Sequence, residues 1–444
     1  MRALAVVLVL VVGCDCGGDA PPPDASTSAS DARIEPTDDA AIDASTTGDG
    51  WAEIAPIVER RCVPCHREGE IGGFGLDTYE AVSSLASLVA VMVETRRMPP
   101  FPPTQADGCA PVDDFRNVPE ADRARLVAWA QAGAPRGVGG PDRLTHTGEG
   151  PLGPPDRRHA MRVAYTPPPL TERADDYRCF VIDPGVATAF PTAAMSIEPG
   201  NRAIVHHAIT FMVAPAQAAQ ARELDDAEPG PGYACYGGAM VTPAYASGLW
   251  VPGDASVLEP PRPDVGYWFP AGWQLILQVH YNVERAHGED RSEVVIWETP
   301  VPIGEVPRNL LVGDYDFVIP PRAAHVEGTA SGWFTAAGTT DVLGVSAAEG
   351  TIYAVTPHLH QLGQSFRMQL LHADGTSECV LSIPAWDFHW QGVFRLPDGV
   401  RARAGDELRV TCAWSNGAGD EAVTWGEGSS DEMCYGSVAI YSGR

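Results

Sequence analysis

The side chains with the clearest chemical capacity are histidines in β-type sequence. His206 and His207 are adjacent in IVHHAITF, His280 lies in LQVHYN, and His358 and His360 stand two apart in TPHLHQLG. Successive side chains on a strand point to opposite faces, so residues two apart share a face. His358 and His360 can therefore offer two imidazoles to one metal ion. A regular strand keeps His206 and His207 apart. A bulge, a strand end or the use of different ring nitrogens has to bring them to one side. Each pair alone is weak evidence, because a strand histidine is more often a surface or packing residue. The chain has 12 histidines, and His146, His159, His287, His325, His372 and His389 fall in no comparable group.

A second chemical motif is CVPCH at 62–66, with the C-x-x-C-H spacing of covalent haem attachment. Cys62 and Cys65 can form thioethers to haem vinyl groups, and His66 is placed to ligate the iron. A redox-active thiol pair and half of a zinc site are the rival readings. No second Cys/His pair lies nearby, so one covalently bound haem c is expected. Met98 in RRMPPFPP, held on an extended stretch by the prolines after it, is the expected sixth ligand, with Met92 as the alternative. The segment resembles a small class I cytochrome c, with a C-x-x-C-H helix, a methionine loop and a closing helix at 118–132. The resemblance implies electron transfer.

These residues need scaffolds, and the sequence changes grammar along its length. The 444 residues allow two or three domains with real cores. LASLVAVMVETRR and VPEADRARLVAWAQAGAP carry helical patterns, the second ended by Gly133 and Pro135. Past a Gly/Pro-rich linker come short β runs divided by turns: RCFVI, AIVHHAITFMV, WQLILQVHYNV, SEVVIWE, TIYAVTPHLH, FRMQLLHA, ELRVTCAWS and SVAIY. The expected fold is multidomain. A small all-α cytochrome c domain at 51–136 and a linker at 137–159 precede two tandem antiparallel β-sandwiches of jelly-roll type, at 160–304 and 305–444.

Taken together, the histidines and Met433 in SSDEMCYGSV resemble the copper type II, ascorbate-dependent monooxygenases, the family of dopamine β-monooxygenase and peptidylglycine α-hydroxylating monooxygenase. The resemblance spans about residues 160–444 and implies two copper ions in two successive sandwiches. It assigns His206, His207 and His280 to one copper, and His358, His360 and Met433 to the other. The second copper would be catalytic, activating O2 to hydroxylate a substrate C–H bond, while the all-histidine copper supplies an electron. Neutral imidazoles suit a copper that shuttles between oxidation states, and a soft thioether favours Cu(I). The resemblance also implies a Cys412–Cys434 disulfide beside Met433, read here as stapling a hairpin. Cys179–Cys235, flanking the His-His strand, is the second expected pair. Cys109 and Cys379 fall in different expected domains and are left unpaired. WDFHWQ at 386–391 is read as an aromatic strand of the core.

The start of the chain, MRALAVVLVLVVGCDC, has one early cation and an apolar run too short to span a bilayer. Residues 1–14 read as a lipoprotein signal peptide, with Cys14 lipidated in a lipobox-like Val-Val-Gly-Cys; a plain signal peptide cut elsewhere is the rival. Residues 15–50 form an acidic Ser/Thr/Pro tether with too little apolar bulk to fold. The expected location is exported and membrane-anchored, facing the periplasm or the outer surface. There the six of the ten cysteines that lie in folded regions and are not given to lipid or haem, Cys109, Cys179, Cys235, Cys379, Cys412 and Cys434, are disulfide candidates. The net charge of −28 and the absence of lysine exclude Schiff-base chemistry at lysine and make nucleic acid an unsuitable partner. The expected partners are O2, a small-molecule or peptide substrate, an external donor to the haem, and a membrane. The ascorbate-dependent enzymes lack the fused haem segment, from which the expectation follows that haem feeds the all-histidine copper. The alternative is a copper- and haem-binding electron-transfer lipoprotein without oxygenase activity. A β-sandwich adhesion module would leave the clustered ligands unexplained.

Overall fold

A computed structural model describes residues 49–442 apart from 68–69, 71, 102, 105–107, 146–151, 172–173, 243, 252–256, 285, 334–338, 341–345, 348 and 389, and apart from the side chains of 333–348. The expected leader, Cys14 and nearly all of the tether lie outside the described residues.

Four helices come first: α1 (Trp51–Arg61), α2 (Tyr79–Ser84), α3 (Ala86–Glu94) and α4 (Glu120–Gln131). Trp51, Ile54 and Val58 of α1 meet Leu126 and Trp129 of α4 in one core. The Thr78 side chain accepts from the Ala81 N–H at 3.2 Å and caps α2. Gly133, with φ of +86°, closes the chain after α4 as its sequence expects.

The rest is mostly β. One five-stranded sheet has the order Tyr233–Ala234, Asp175–Ile182, Gln274–Asn282, Val205–Val213, Tyr245–Trp250. It faces a four-stranded sheet of Arg157–Ala160, Glu293–Glu298, Phe190–Glu198 and Tyr267–Phe269. Period-two alternation sends Leu275, Leu277 and Val279 into the core between them. Ile276, Gln278 and His280 therefore occupy the opposite face. Part of that face is covered by helix α5 (Pro215–Ala227), which the sequence reading lacks, and by the Cys179–Cys235 disulfide.

A second sandwich follows. Arg308–Asp314, Cys434–Tyr441, Gly350–His358 and Phe394–Ala402 form one sheet; Val326–Trp333, Glu407–Trp414, Gly363–Leu371 and Ser377–Ile383 form the other. The Cys412–Cys434 bond is present, but the two cysteines belong to opposite sheets. It is an inter-sheet bridge through the core rather than the hairpin staple expected, because residues 415–433 cross from one layer to the other.

Cys109 and Cys379 are bonded to each other across 270 residues of sequence. Around that bond, a strap between α3 and α4 runs along the second sandwich. Thr104 N–H donates to Ser382 O at 2.8 Å, Ala110 N–H to Cys379 O at 2.9 Å and Asp113 N–H to Arg395 O at 2.9 Å. Val112 is buried in the sandwich's own core. Three disulfides are those of a chain that folds outside the reducing cytosol. Among the described residues no helix is long and apolar enough to cross a membrane.

The long-range bond constrains the unfolded chain heavily. Replacing both partners, Cys109→Ser with Cys379→Ser, is expected to cost about 2–5 kcal/mol of unfolding free energy. A guanidinium titration would read this as a lower midpoint; an unchanged midpoint would show that the strap is held by its other contacts.

Candidate metal centre

Backbone register builds the first cluster. His280 is the cross-strand partner of Tyr177 on one side and of His207 on the other, so three rings form a row across three strands. The ladder slips between Val205 and His207, which is the bulge an adjacent histidine pair requires. His206 Nδ1 lies 3.3 Å from His280 Nδ1, and His207 Nδ1 lies 3.4 Å from the same atom. All three ligand nitrogens fall within 4.8 Å of one another. A tetrahedral ion with metal–nitrogen bonds of about 2.0–2.1 Å spaces its nitrogens about 3.3–3.4 Å apart. The donor set and its spacing therefore fit one metal ion.

The back of His280 is held as a ligand needs. Its Nε2 pairs with Asp175 Oδ1 at 2.9 Å, so the proton sits there and Nδ1 is free. Asp175 also accepts from Asn282 Nδ2 at 3.0 Å, Ser429 Oγ at 2.9 Å and Ser429 N–H at 3.2 Å. Burial opposes its ionisation, but His280 and these donors more than offset that and hold it below the usual carboxylate range. Tyr177 stacks on His280 with ring centres 4.1 Å apart and planes within 9°. Burial, and then the neighbouring His280, push His206 and His207 well below the ordinary imidazole value, so both stay neutral at physiological pH. Metal ligation requires that state.

The second cluster forms where a strand ends. His358 is the last residue of Gly350–His358 and pairs with Tyr435; His360 lies two residues on, and the two ring centres are 5.1 Å apart. His358 Nδ1–H donates to Gln391 Oε1 at 2.7 Å, and His360 Nδ1–H donates to Asp431 O at 3.1 Å. Each Nε2 is thereby left with its lone pair. Burial pushes His358 down to about 3 and His360 down to about 4. Met433, buried, stands between Asp431, which binds His360, and Tyr435, which pairs with His358. The preceding Glu432 accepts from His360 N–H at 3.0 Å, Leu362 N–H at 2.6 Å, Trp414 Nε1 at 3.0 Å and Met433 N–H at 3.2 Å. Burial raises its carboxyl to about 7 against those four donors.

The clusters abut. The rings of His207 and His358 are 6.0 Å apart, and Phe388 stacks on His206 at 4.5 Å while meeting His360 edge-on at 5.9 Å. Residues 427–433 serve both. Glu427 O accepts from Tyr177 Oη at 3.0 Å and Ser429 grips Asp175, while Asp431 and Glu432 grip His360.

Sequence reading misses Asp175, Ser429, Gln391, Glu432 and Phe388. A usable signal exists for Asp175 alone: His280 and Asn282 share a face, so their strand needs an acceptor opposite, and Asp175 is the register partner of Asn282. The WDFHWQ stretch is not a strand. It lies in the loop 384–393 between Ser377–Ile383 and Phe394–Ala402, and supplies Phe388 and Gln391 to the histidines.

At the C-x-x-C-H turn, Cys62 caps α1 and is buried, and Cys65 and His66 N–H groups donate to Cys62 O at 3.1 and 2.9 Å. Both cysteines are free thiols, whereas the other six described cysteines are all bonded. Burial pushes Cys62 up to about 12 and Cys65 up to about 11, opposite to a reactive thiolate pair. Gly72 has its N–H on Cys65 O at 2.8 Å, and a Cβ there would stand 2.5 Å from His66 Nδ1. The loop thus closes over His66 only with glycine at 72. Met98 follows α3, with its N–H on Met92 O at 3.0 Å.

Residues 310–443 match the family model described as copper type II ascorbate-dependent monooxygenase, C-terminal domain. No curated protein matches the chain. Among solved structures, the infectious bursal disease virus VP2 subviral particle is 11% identical over 65% of this chain and 71% of that one, with a TM-score of 0.18. A structure of the Gx strain of that virus is 11% identical over 65% and 72%, with a TM-score of 0.19. The dimeric latent PorU of Porphyromonas gingivalis is 10% identical over 62% and 25%, with a TM-score of 0.16.

Asp175→Asn keeps the side chain's shape but weakens the acceptor that sets His280. It is expected to lower copper affinity at the three-histidine cluster about 10- to 100-fold. Competition against a chelator measures this; wild-type affinity in the variant would remove Asp175 from the site.

Proposed function

We propose that this protein is an exported copper monooxygenase with a built-in haem domain as electron donor. The observation that carries the reading is convergence. His206, His207 and His280 gather their Nδ1 atoms in one sandwich, and His358 and His360 leave Nε2 free in the other, held by Gln391 and by Asp431, two residues before Met433, with 6.0 Å between rings of the two sets. The family match over residues 310–443 supports copper-dependent oxygenation by the second sandwich.

His206, His207 and His280 would hold one copper, and His358, His360 and Met433 the other. Copper bound there would supply one-electron storage at the imidazole cluster and O2 activation at the thioether cluster, for insertion of one oxygen atom into a substrate C–H bond. The protein's own part is legible in its contacts. Asp175, Gln391 and Asp431 O each accept a hydrogen bond from one imidazole N–H and so leave the opposite nitrogen free for a metal. His280 and His360 are each 1% exposed, which excludes water from their hydrogen bonds and strengthens them. Phe388 fixes the ring planes of His206 and His360.

Cys62, Cys65 and His66 would hold haem c, with Met98 as sixth ligand. The free thiols support this in a chain whose other described cysteines are oxidised. A haem there would supply electrons from an external donor to the all-histidine copper. Lipid at Cys14 would tether the protein to a membrane, and its substrates would be O2 and a small molecule or peptide.

Metal and haem analysis of the purified protein should give two coppers and one haem per chain. O2 uptake against a substrate panel should yield a product heavier by one oxygen atom. Met433→Ile should abolish turnover while keeping the fold and the three-histidine copper; full turnover in that variant would exclude Met433 as a ligand. Haem reduced beforehand should reoxidise on adding O2 and substrate only when copper is loaded, and copper-independent reoxidation would separate the two centres.

A further inference from the structure

The geometry points to Arg116, in the strap joining α3 to α4, as a positioning residue for the second metal cluster, acting through Gln391 on the tautomer of His358. The inference rests on the copper reading above but assigns a role to a segment outside both sandwiches.

Arg116 is a charged side chain only 2% exposed. Its guanidinium is held in place by Asp114, with Nε 2.9 Å from Oδ1 and Nη2 2.5 Å from Oδ2, and the Arg116 N–H donates to the same carboxylate at 2.7 Å. The cation lies 5.4 Å from the ring centre of Phe394. From this fixed position Nη1 reaches Gln391 O at 3.4 Å. Gly392, next in the chain, is where the approach is tightest. A Cβ there would stand 2.6 Å from Arg116 Nη2, so a side chain at 392 would push the guanidinium from its present seat. The backbone of the 391–392 loop is thus seated on Arg116.

That seating fixes the backbone from which the Gln391 amide reaches the metal cluster. Gln391 Nε2 donates to Phe388 O at 3.2 Å, which leaves Oε1 to accept from His358 Nδ1 at 2.7 Å. With the proton fixed on Nδ1, the Nε2 lone pair is the one available to a metal. The strap is anchored on the other side of Arg116 as well. The Cys109–Cys379 bond and the Asp113 N–H to Arg395 O contact fix it to the sandwich, and Arg61, directly before Cys62, donates to Phe115 O at 2.7 Å. A continuous set of contacts therefore runs from the C-x-x-C-H turn to His358. A buried arginine whose only task was to bind its own aspartate would not require glycine on a loop 276 positions away; the contact itself spans 275 residues.

The test uses the full-length chain with selectively 15N-labelled histidine. Three variants are compared with wild type: Gly392→Ala, which displaces the guanidinium but keeps the ion pair; Asp114→Asn with Arg116→Met, which removes the pair without stranding a charge; and Gln391→Leu, which marks complete loss of the acceptor. In copper-free protein the His358 ring shifts should show one Nδ1–H form in wild type and a mixture in all three variants, with His280 unchanged. Cu(I) affinity at the second cluster, by chelator competition, should fall about 10- to 100-fold while that of the three-histidine cluster holds. A single Nδ1–H form of His358 in both Gly392→Ala and the double variant overturns the proposal, whatever their stability. An unchanged second-cluster affinity beside a released tautomer overturns it too. The tautomer is read without copper, so this failure is distinct from failure of the monooxygenase reading, which would show as wild-type protein that binds no copper.

Discussion

Five imidazoles share one cleft, and its use as a pair of metal sites depends on nitrogens that keep their lone pairs. Burial is the dominant influence on His206, His207, His358 and His360, and it depresses all four. Neutral rings still need direction, because a neutral imidazole has two interchangeable tautomers. The protein removes that freedom with an acceptor behind each key ring: a carboxylate for His280, a side-chain amide for His358 and a backbone carbonyl for His360. The three acceptors come from three different segments. Loss of solvent and loss of tautomeric freedom are thus supplied together by the same packing.

The packing has to be long-range, and the molecule's unusual connections serve that end. The first cluster spans two neighbouring strands of one sheet, with Asp175 and Tyr177 on a third, and the second lies at a strand end of the other sandwich. The segment 427–433 touches both, through Ser429 on Asp175 and Asp431 and Glu432 on His360. Glu432, taking four donors, fixes that segment's backbone just before Met433. The Cys412–Cys434 bridge ties the following strand to the facing sheet. A methionine has a flexible side chain with little rotamer preference of its own. Here its backbone is clamped on both sides.

The clustered histidines were legible in the sequence because strand periodicity makes an H-x-H pair and a lone strand histidine stand out, and the C-x-x-C-H motif because it is contiguous. The eight β runs and both helical patterns likewise carry their own period. What stayed hidden depends on register and on loops. Asp175 opposes Asn282 only after two strands 100 residues apart are aligned, and no local pattern encodes that pairing. Gln391 and Phe388 lie in WDFHWQ, whose composition resembles a core strand, although Phe388 meets both clusters and Gln391 the second. The 109–379 bond was unreadable for a related reason: the strap's attachment to the second sandwich rests on backbone hydrogen bonds, a buried valine and the Arg116 contact, none of which has a local signature. Helix α5, which opens on Pro215 without a side-chain cap and is weakly amphipathic, gave little to detect.

The 270-residue span of that bond also bears on the order in which the molecule can be completed. A ribosome releases Cys62, Cys65 and Cys109 long before Cys379, so three thiols coexist on the nascent polypeptide while only one of them is destined for a disulfide. Any oxidant acting early has the wrong partners within reach. Maturation must therefore either occupy the first two sulfurs chemically or bury them in the α1 turn before oxidation. The 109–379 closure waits for the strand Ser377–Ile383, and the 412–434 closure waits for the last strand, which begins at Cys434.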